Sequence, residues 1–205
     1  NKILVAPQSF KGSISAMDVC LAMADGVRNV FQDCEIIMCP VADGGDGTLE
    51  TLVEISNGQI NSCNVTGPIG DQISSQWGAM GDGHTAVIEM ARTSGLALIS
   101  LDQRNPLTAT TYGLGEIILD ALDNGFRKFI IGIGGSATND AGAGMAQALG
   151  VGLFDANGKS LGFGGHALKD LDSIDFSSID PRLNESTFLI ACDVNNPLIG
   201  SEGAS

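Results

Sequence analysis

The chain has 205 residues, with 24 acidic side chains against ten basic ones and a formal net charge of -14. Such a balance supplies no large basic face for a nucleic-acid backbone or an anionic membrane surface. Hydrophobic residues make up 43% and charged residues only 17%, which excludes disorder and predicts one large or two small globular domains around a substantial core.

Further classes fall away on composition. No run of about 18 apolar residues exists, so no membrane span is expected. Asn1–Pro7 reads as a short strand rather than a signal peptide. Cys20, Cys34, Cys39, Cys63 and Cys192 are odd in number and lack CxxC spacing, which disfavours a disulfide framework or a zinc site and fits a cytoplasmic protein. His84 and His166 stand too far apart in the sequence to point to a histidine metal site.

In chain order, Lys2–Ala6 reads as a strand, followed by a loop and by a helix over Ala16–Val30 with Ser15 as N-cap. Glu35–Cys39 is a second strand, ending in the acidic glycine-rich loop Asp43-Gly44-Gly45-Asp46-Gly47, and Thr48–Ile55 a second helix. This alternation is that of a parallel α/β sheet. From about residue 59 to 90 the turn signals Gly67-Pro68, Gly70-Asp71 and Gly81-Asp82-Gly83 predict antiparallel hairpins, and a domain boundary is placed between residues 66 and 67. A helix is expected over Gly113–Asn124, with Gly125 at its C-terminal end. Phe129–Ile133 is a buried strand, Ala141–Leu149 a small-residue helix, and Asn157-Gly158 a tight turn between strands Val151–Phe154 and Ser160–Phe163. Phe188–Cys192 is the last strand, with Asp193 at its end.

Ligands of α/β sheets bind beyond the carboxyl ends of strands. The segments 8–13, 43–48, 134–140 and 193–196 are therefore expected to line one crevice. Gly134-Gly135-Ser136-Ala137-Thr138-Asn139-Asp140 follows a buried strand and precedes a helix, which predicts an anion site built of backbone amides with Ser136 and Thr138 as hydroxyl donors. It lacks the lysine of a Walker A loop. Gly132, Gly134 and Ala137 also match a dinucleotide fingerprint, with Asp155 about twenty residues on as the ribose carboxylate, so an NAD-binding oxidoreductase is a rival reading. The hairpin turn after Asp155 argues against it. Asp43, Asp46 and Glu50 cluster without calcium-loop spacing and could hold Mg²⁺ beside phosphate. Lys11 could neutralise a phosphate or carboxylate, and Arg92 or Arg104 could clamp a carboxylate.

Assembled, these segments resemble the type I glycerate kinase family. The resemblance rests on residues 6–13, the Pro40–Thr48 loop, Thr85–Met90, Arg104-Asn105-Pro106-Leu107 with Thr111-Tyr112-Gly113, Gly132–Asp140, Asp180–Leu183 and Ala191–Leu198. It implies two α/β domains: one doubly wound, parallel, flavodoxin- or Rossmann-like, represented by residues 1–66, and a second, mixed one inserted into it, residues 67–205. Family members are about twice as long, so the chain corresponds to an N-terminal half or a truncated form. Such a half is expected to leave apolar sheet surface bare.

The resemblance further implies transfer of the ATP γ-phosphoryl group, with Mg²⁺, to a hydroxyl of D-glycerate, giving 2-phosphoglycerate. Its partners are small molecules, and homo-oligomerisation stays open. On this reading Asp193 is the expected base, with Asp140 second and Lys11 as a charge-neutralising catalytic residue. Asp43 and Asp46 are the expected metal ligands, Asp140 being an alternative. Ser9, Asn105, Gly134, Gly135, Ser136, Thr138 and Asn139 are expected to bind substrate or phosphate. Gln8 stands where the family has aspartate, and Asp46 where glutamate is common. A non-catalytic binding fragment is the third reading.

Overall fold

The computed structural model describes residues 2–10 and 13–203. The strands are β1 (Lys2–Val5), β2 (Glu35–Met38), β3 (Gln59–Thr66), β4 (Gln72–Ala79), β5 (Thr85–Glu89), β6 (Lys128–Gly132), β7 (Gly152–Phe154), β8 (Ser173–Asp175) and β9 (Thr187–Ala191). The α-helices are α1 (Ala16–Val30), α2 (Thr48–Ile55), α3 (Ala91–Ser94), α4 (Tyr112–Asp123) and α5 (Ala143–Ala148), and short 3₁₀ turns fill several connections. Among the described residues, no helix is long and apolar enough to cross a membrane.

Local chemistry sets several of these boundaries. The Ser15 hydroxyl accepts the Asp18 amide at 3.1 Å and starts α1 where the sequence places it. Gly125, at φ 90°, closes α4 by donating its amide to the Leu122 carbonyl at 3.0 Å. α5 is shorter than predicted because Ala141 and Gly142 adopt φ of 51° and 76°, which no right-handed helix admits. The tight turn at Asn157-Gly158 is present, with the Asp155 amide on the Lys159 carbonyl at 2.9 Å. Its return arm is not a strand: only Ser160 bridges to Phe154, and β7 pairs antiparallel with β8 instead.

The architecture is mixed α/β. β1 and β2 form a parallel pair, β7 and β8 an antiparallel pair, and the main sheet has the order β3-β4-β5-β6-β9. Its first three strands are antiparallel; β5, β6 and β9 run parallel. The boundary expected after residue 66 falls in the turn of the β3–β4 hairpin, whose register runs from Gln59↔Ala79 to Thr66↔Gln72. β3 thus belongs with the sheet that follows it, not with β1 and β2.

β5 alternates between two cores, as a strand covered on both faces must. Ala86 and Ile88 pack with Trp77, Phe129 and the α4 residues Ile117, Ile118 and Leu122. Val87 packs with Leu49 and Val53 of α2. Trp77 is fully buried, and its indole N–H donates to Asp120 at 2.6 Å, satisfying the one polar atom it brings into the core. Asp120 and Glu116 also bear on the half-buried Cys63: burial first, then these two carboxylates, push its thiol pKa up to about 11.

At the other edge, β9 carries the apolar run Phe188-Leu189-Ile190, yet these residues are 38%, 62% and 50% exposed. Phe188 stacks on Phe129 with ring centroids 4.8 Å apart. Leu4 and Ile37 of the β1–β2 pair are similarly open.

The β4–β5 turn depends on Asp82, whose carboxylate accepts the His84 amide at 2.8 Å, the Thr85 amide at 2.9 Å and the Thr85 hydroxyl at 2.7 Å. These bonds, the His84 amide foremost, lower its pKa from 3.8 to about 2. A depressed carboxylate pKa stabilises the fold above the unfolded value and ceases to do so as pH falls through the folded one. Asp82→Asn should therefore lower the urea midpoint at pH 7 and show a smaller further fall than wild type between pH 3.8 and about 2. Parallel midpoint-against-pH curves for the two proteins would remove Asp82 from this account.

Candidate active site

Because β5, β6 and β9 are parallel, their carboxyl ends lie on one edge of the main sheet. The loop after β2 reaches the same edge through glycines. A Cβ on Gly132 would lie 2.4 Å from the Gly44 carbonyl oxygen, and a Cβ on Gly44 2.4 Å from that of Ala191. The Gly134 amide donates to the Gly44 carbonyl at 3.2 Å. Only unsubstituted backbone permits this approach. Segments 43–48 and 134–140 therefore meet at the end of β9, while no residue of the expected segment 193–196 lines the three cavities at this edge.

Two clefts open there. The larger, of about 930 Å³, has an apolar floor that includes Ile131, Ile133 and Ile190 and a polar rim with Asn105, Thr138 and Asn139. The second, of about 500 Å³, is lined by Asp46, Glu89, Arg92, Arg104 and Ser136 among others. Beside it, Gln8, Ser9, Asp43, Asp46 and Gly47 line a narrow crevice. Asp46 thus faces both the second cleft and the crevice. The exposed Asp43 carboxylate accepts the Gly45 amide at 2.9 Å and is also bonded by the Gln8 side-chain amide. Lys11 lies outside the described residues. Asp193 is exposed, two residues beyond β9, and does not line these three cavities.

The 134–140 loop differs from a helix-terminal amide cradle. The Gly134, Ala137 and Thr138 amides are spent on the Gly44 carbonyl, the Ser94 carbonyl and the Ser136 hydroxyl. The Gly142 and Gly144 amides are spent on Asp140, and the Met145 amide on Thr111 Oγ1. Gly135 and Ser136 keep amides without an acceptor among the described residues, and the Ser136 and Thr138 hydroxyls bond each other at 2.8 Å. Asn105 turns its side-chain oxygen onto the Leu107 amide at 3.0 Å while lining the larger cleft.

Asp140 is 1% exposed and holds the loop together. Its Oδ2 accepts the Thr111 amide at 2.9 Å, the Thr111 hydroxyl at 2.8 Å and the Gly144 amide at 3.2 Å, and Oδ1 accepts the Gly142 amide at 3.2 Å. This bonding makes Asp140 a strut between the starts of α4 and α5.

Glu89 is a residue the sequence reading leaves out of the site, although a carboxylate closing an apolar strand is the same signal that singles out Asp193. It is 2% exposed; Oε1 accepts the Leu49 amide at 3.0 Å and Oε2 the Arg92 Nε at 2.7 Å. Arg92 also bonds Gln76 at 2.9 Å and pairs with Glu50. Burial opposes its charge, but Glu89 and then Glu50 outweigh that and raise its pKa above the ordinary arginine value. Arg92 is thereby committed within the protein and is no carboxylate clamp.

Asp155 does not serve the dinucleotide reading. Its Oδ1 accepts the Asn157 and Lys159 amides at 2.9 Å, inside its own turn. The Lys159 amide above all depresses its pKa. β7, which it follows, lies outside the main sheet, so Asp155 does not stand at the end of a strand neighbouring β6.

Asp140→Asn replaces one carboxylate oxygen by an NH₂ that faces N–H donors. At least one buried donor then loses its acceptor, at about 2 kcal/mol. Denaturant unfolding should show that loss. Unchanged stability together with lost activity would instead return Asp140 to the catalytic machinery.

A family profile described as the Glycerate kinase family matches residues 3–205. Glycerate 2-kinase of Escherichia coli (strain K12) is 52% identical over 204 residues, covering 100% of this chain and 54% of the relative. A glycerate kinase of Bacillus subtilis (strain 168) is 53% identical over 204 residues, with 100% and 53% covered. The crystal structure of a candidate glycerate kinase 2 from Salmonella typhimurium LT2 superposes with a TM-score of 0.91 at 49% identity, covering 99% of this chain and 55% of that one. The chain spans about half the length of the curated relatives it matches. With the fold, the glycine-built strand-end site and these matches in agreement, the chain belongs to the glycerate kinase family.

Proposed function

We propose that this chain carries the donor and acceptor clefts of an ATP-dependent kinase for D-glycerate, with 2-phosphoglycerate as product. The observation that carries the reading is the meeting of the β2 loop with the carboxyl ends of β5, β6 and β9, two clefts lying side by side at one sheet edge. Membership of the glycerate kinase family supplies the substrate class. β1, α1 and β2 form the first part of a doubly wound domain, and the five-stranded sheet is the body of a second, mixed domain.

Phosphoryl transfer asks the protein for position and charge neutralisation more than for covalent chemistry. Asp193, exposed at the end of β9, accepts the proton of the attacking glycerate hydroxyl in this proposal. Lys11 supplies positive charge, and Ser9, Asn105, Thr138, Asn139 and the Gly134–Ser136 loop hold substrate or phosphate. Mg²⁺ normally takes one or two carboxylates and leaves its other positions to water and phosphate. Asp43 and Asp46, exposed on one short loop, fit that donor set, whereas the fully bonded Asp140 does not. No cluster of three or more ligating side chains exists among the described residues, so the ion would depend on the nucleotide's phosphates. Bound there, it would neutralise charge on the phosphate oxygens.

ADP release with Mg-ATP and D-glycerate tests the reading, with a full-length relative assayed alongside. The expected result is glycerate-dependent release by this chain. Asp193→Asn should then cut kcat at least tenfold, about 1.4 kcal/mol of barrier, while ATP binding stays within about twofold. Turnover that survives the substitution removes Asp193 as the base. Glycerate or nucleotide binding with no turnover, beside an active relative, favours a binding module. Absence of both binding and turnover would sink the proposal.

A further inference from the structure

The five arginines divide by partner. Arg28 pairs with Asp25, Arg92 with Glu50 and Glu89, Arg127 with Glu185, and Arg182 with Asp123 and Asp180. Arg104 has no carboxylate partner among the described residues, in a chain with 24 acidic side chains on offer. Two backbone carbonyls hold it instead: Nε donates to Ile99 and Nη2 to Leu96, each at 3.3 Å. These two bonds fix the guanidinium plane. Of its five N–H donors, three remain available to an external acceptor.

Its position gives those donors a use. Arg104, Ser136 and Leu96 are the residues that line both the 930 Å³ and the 500 Å³ clefts. Leu96 donates its amide to the Gly135 carbonyl at 2.9 Å, which ties the Arg104 loop to the Gly134–Ser136 loop. The junction of the clefts therefore presents a held guanidinium beside the unspent Gly135 and Ser136 amides. Arg92, also in the second cleft, offers no equivalent, since Glu89, Glu50 and Gln76 occupy it.

A fixed fork of donors between two binding clefts matches an oxyanion that moves from one to the other. We propose that Arg104 is a catalytic residue that contacts the phosphoryl group in transit, an inference that rests on the kinase function above. The bond between the terminal phosphorus and the bridging oxygen of ATP breaks. A bond from that phosphorus to the substrate hydroxyl oxygen forms, and the hydroxyl proton passes to a carboxylate. Arg104 makes no covalent bond; it stabilises the charge on the non-bridging oxygens.

Two measurements test it. Arg104→Lys keeps the charge and loses the planar fork. It should lower kcat on the order of 10²-fold, with KM for ATP and for glycerate each within about threefold, in a protein of unchanged melting temperature. A kcat within about threefold of wild type, with or without a rise in KM, overturns the proposal. The second measurement needs no turnover. Phenylglyoxal labelling read by peptide mass spectrometry should be slowed at Arg104 by inorganic phosphate and unaffected by phosphate at the surface-paired Arg28. Labelling of Arg104 that ignores phosphate overturns the inference whatever the enzyme assay gives. Phosphate protection in a chain that turns nothing over would leave Arg104 as an oxyanion contact and count against the kinase function instead.

Discussion

The site depends on three stretches of backbone lying closer than side chains would allow. Gly44, at φ 89°, sits against the Ala191 carbonyl, and Gly132 sits against Gly44. Any Cβ at either position would fall well inside contact distance. This packing carries the Asp43–Asp46 loop, which comes from the β1–β2 pair, to the edge of a different sheet. Without it Asp46 would not face the second cleft beside Gly135 and Ser136. It also anchors the Gly134 amide, so the same contact that assembles the site consumes part of the amide cradle expected there.

Charge poses a second constraint. A protein of net charge -14 repels anionic ligands at long range, but exposed charges beyond about 8–10 Å are largely screened at physiological salt. What decides anion binding is then the composition of the first few ångströms. The second cleft contains Glu89 and Asp46 as well as Arg92 and Arg104. Glu89 is buried and already answered by the Leu49 amide and by Arg92, so it adds little uncompensated negative potential. The Glu89–Arg92 pair thus supplies rigidity, and Arg104 supplies the local positive charge.

Elements set by short-range chemistry were legible in the sequence. The Ser15 cap, the Gly125 terminus of α4 and the Thr48–Ile55 helix need only neighbours a few residues away. The convergence of loops at strand ends was legible too, because parallel α/β topology dictates it. The roles of Asp140 and Arg92 were not. Asp140 is occupied by Thr111, 29 residues earlier, and Arg92 by Glu50, 42 residues earlier, and spacing reveals neither pairing. Arg92 and Arg104 look equivalent as sequence; only their partners separate them. The 66/67 boundary rests on signals of a related kind. The turn signals at Gly67-Pro68 and Gly70-Asp71 mark a hairpin as strongly as they would mark a linker, and only the β3–β4 register distinguishes the two.

The exposed β9 connects stability to the site. Its Phe188-Leu189-Ile190 run has the composition of a strand covered on both faces, as Ala86-Val87-Ile88 is in β5. In β5, α2 and α4 supply the cover; β9 has Phe129 against Phe188 and little else. Ile190 is half exposed and also lines the larger cleft, near Leu198 and Ile199. A polypeptide segment that buried β9 would therefore narrow that cleft as well. Apolar burial stabilises by about 25 cal/mol per Å² removed from water. Cover on this edge would thus act twice, raising stability and excluding water from the cleft where a phosphoryl group would move.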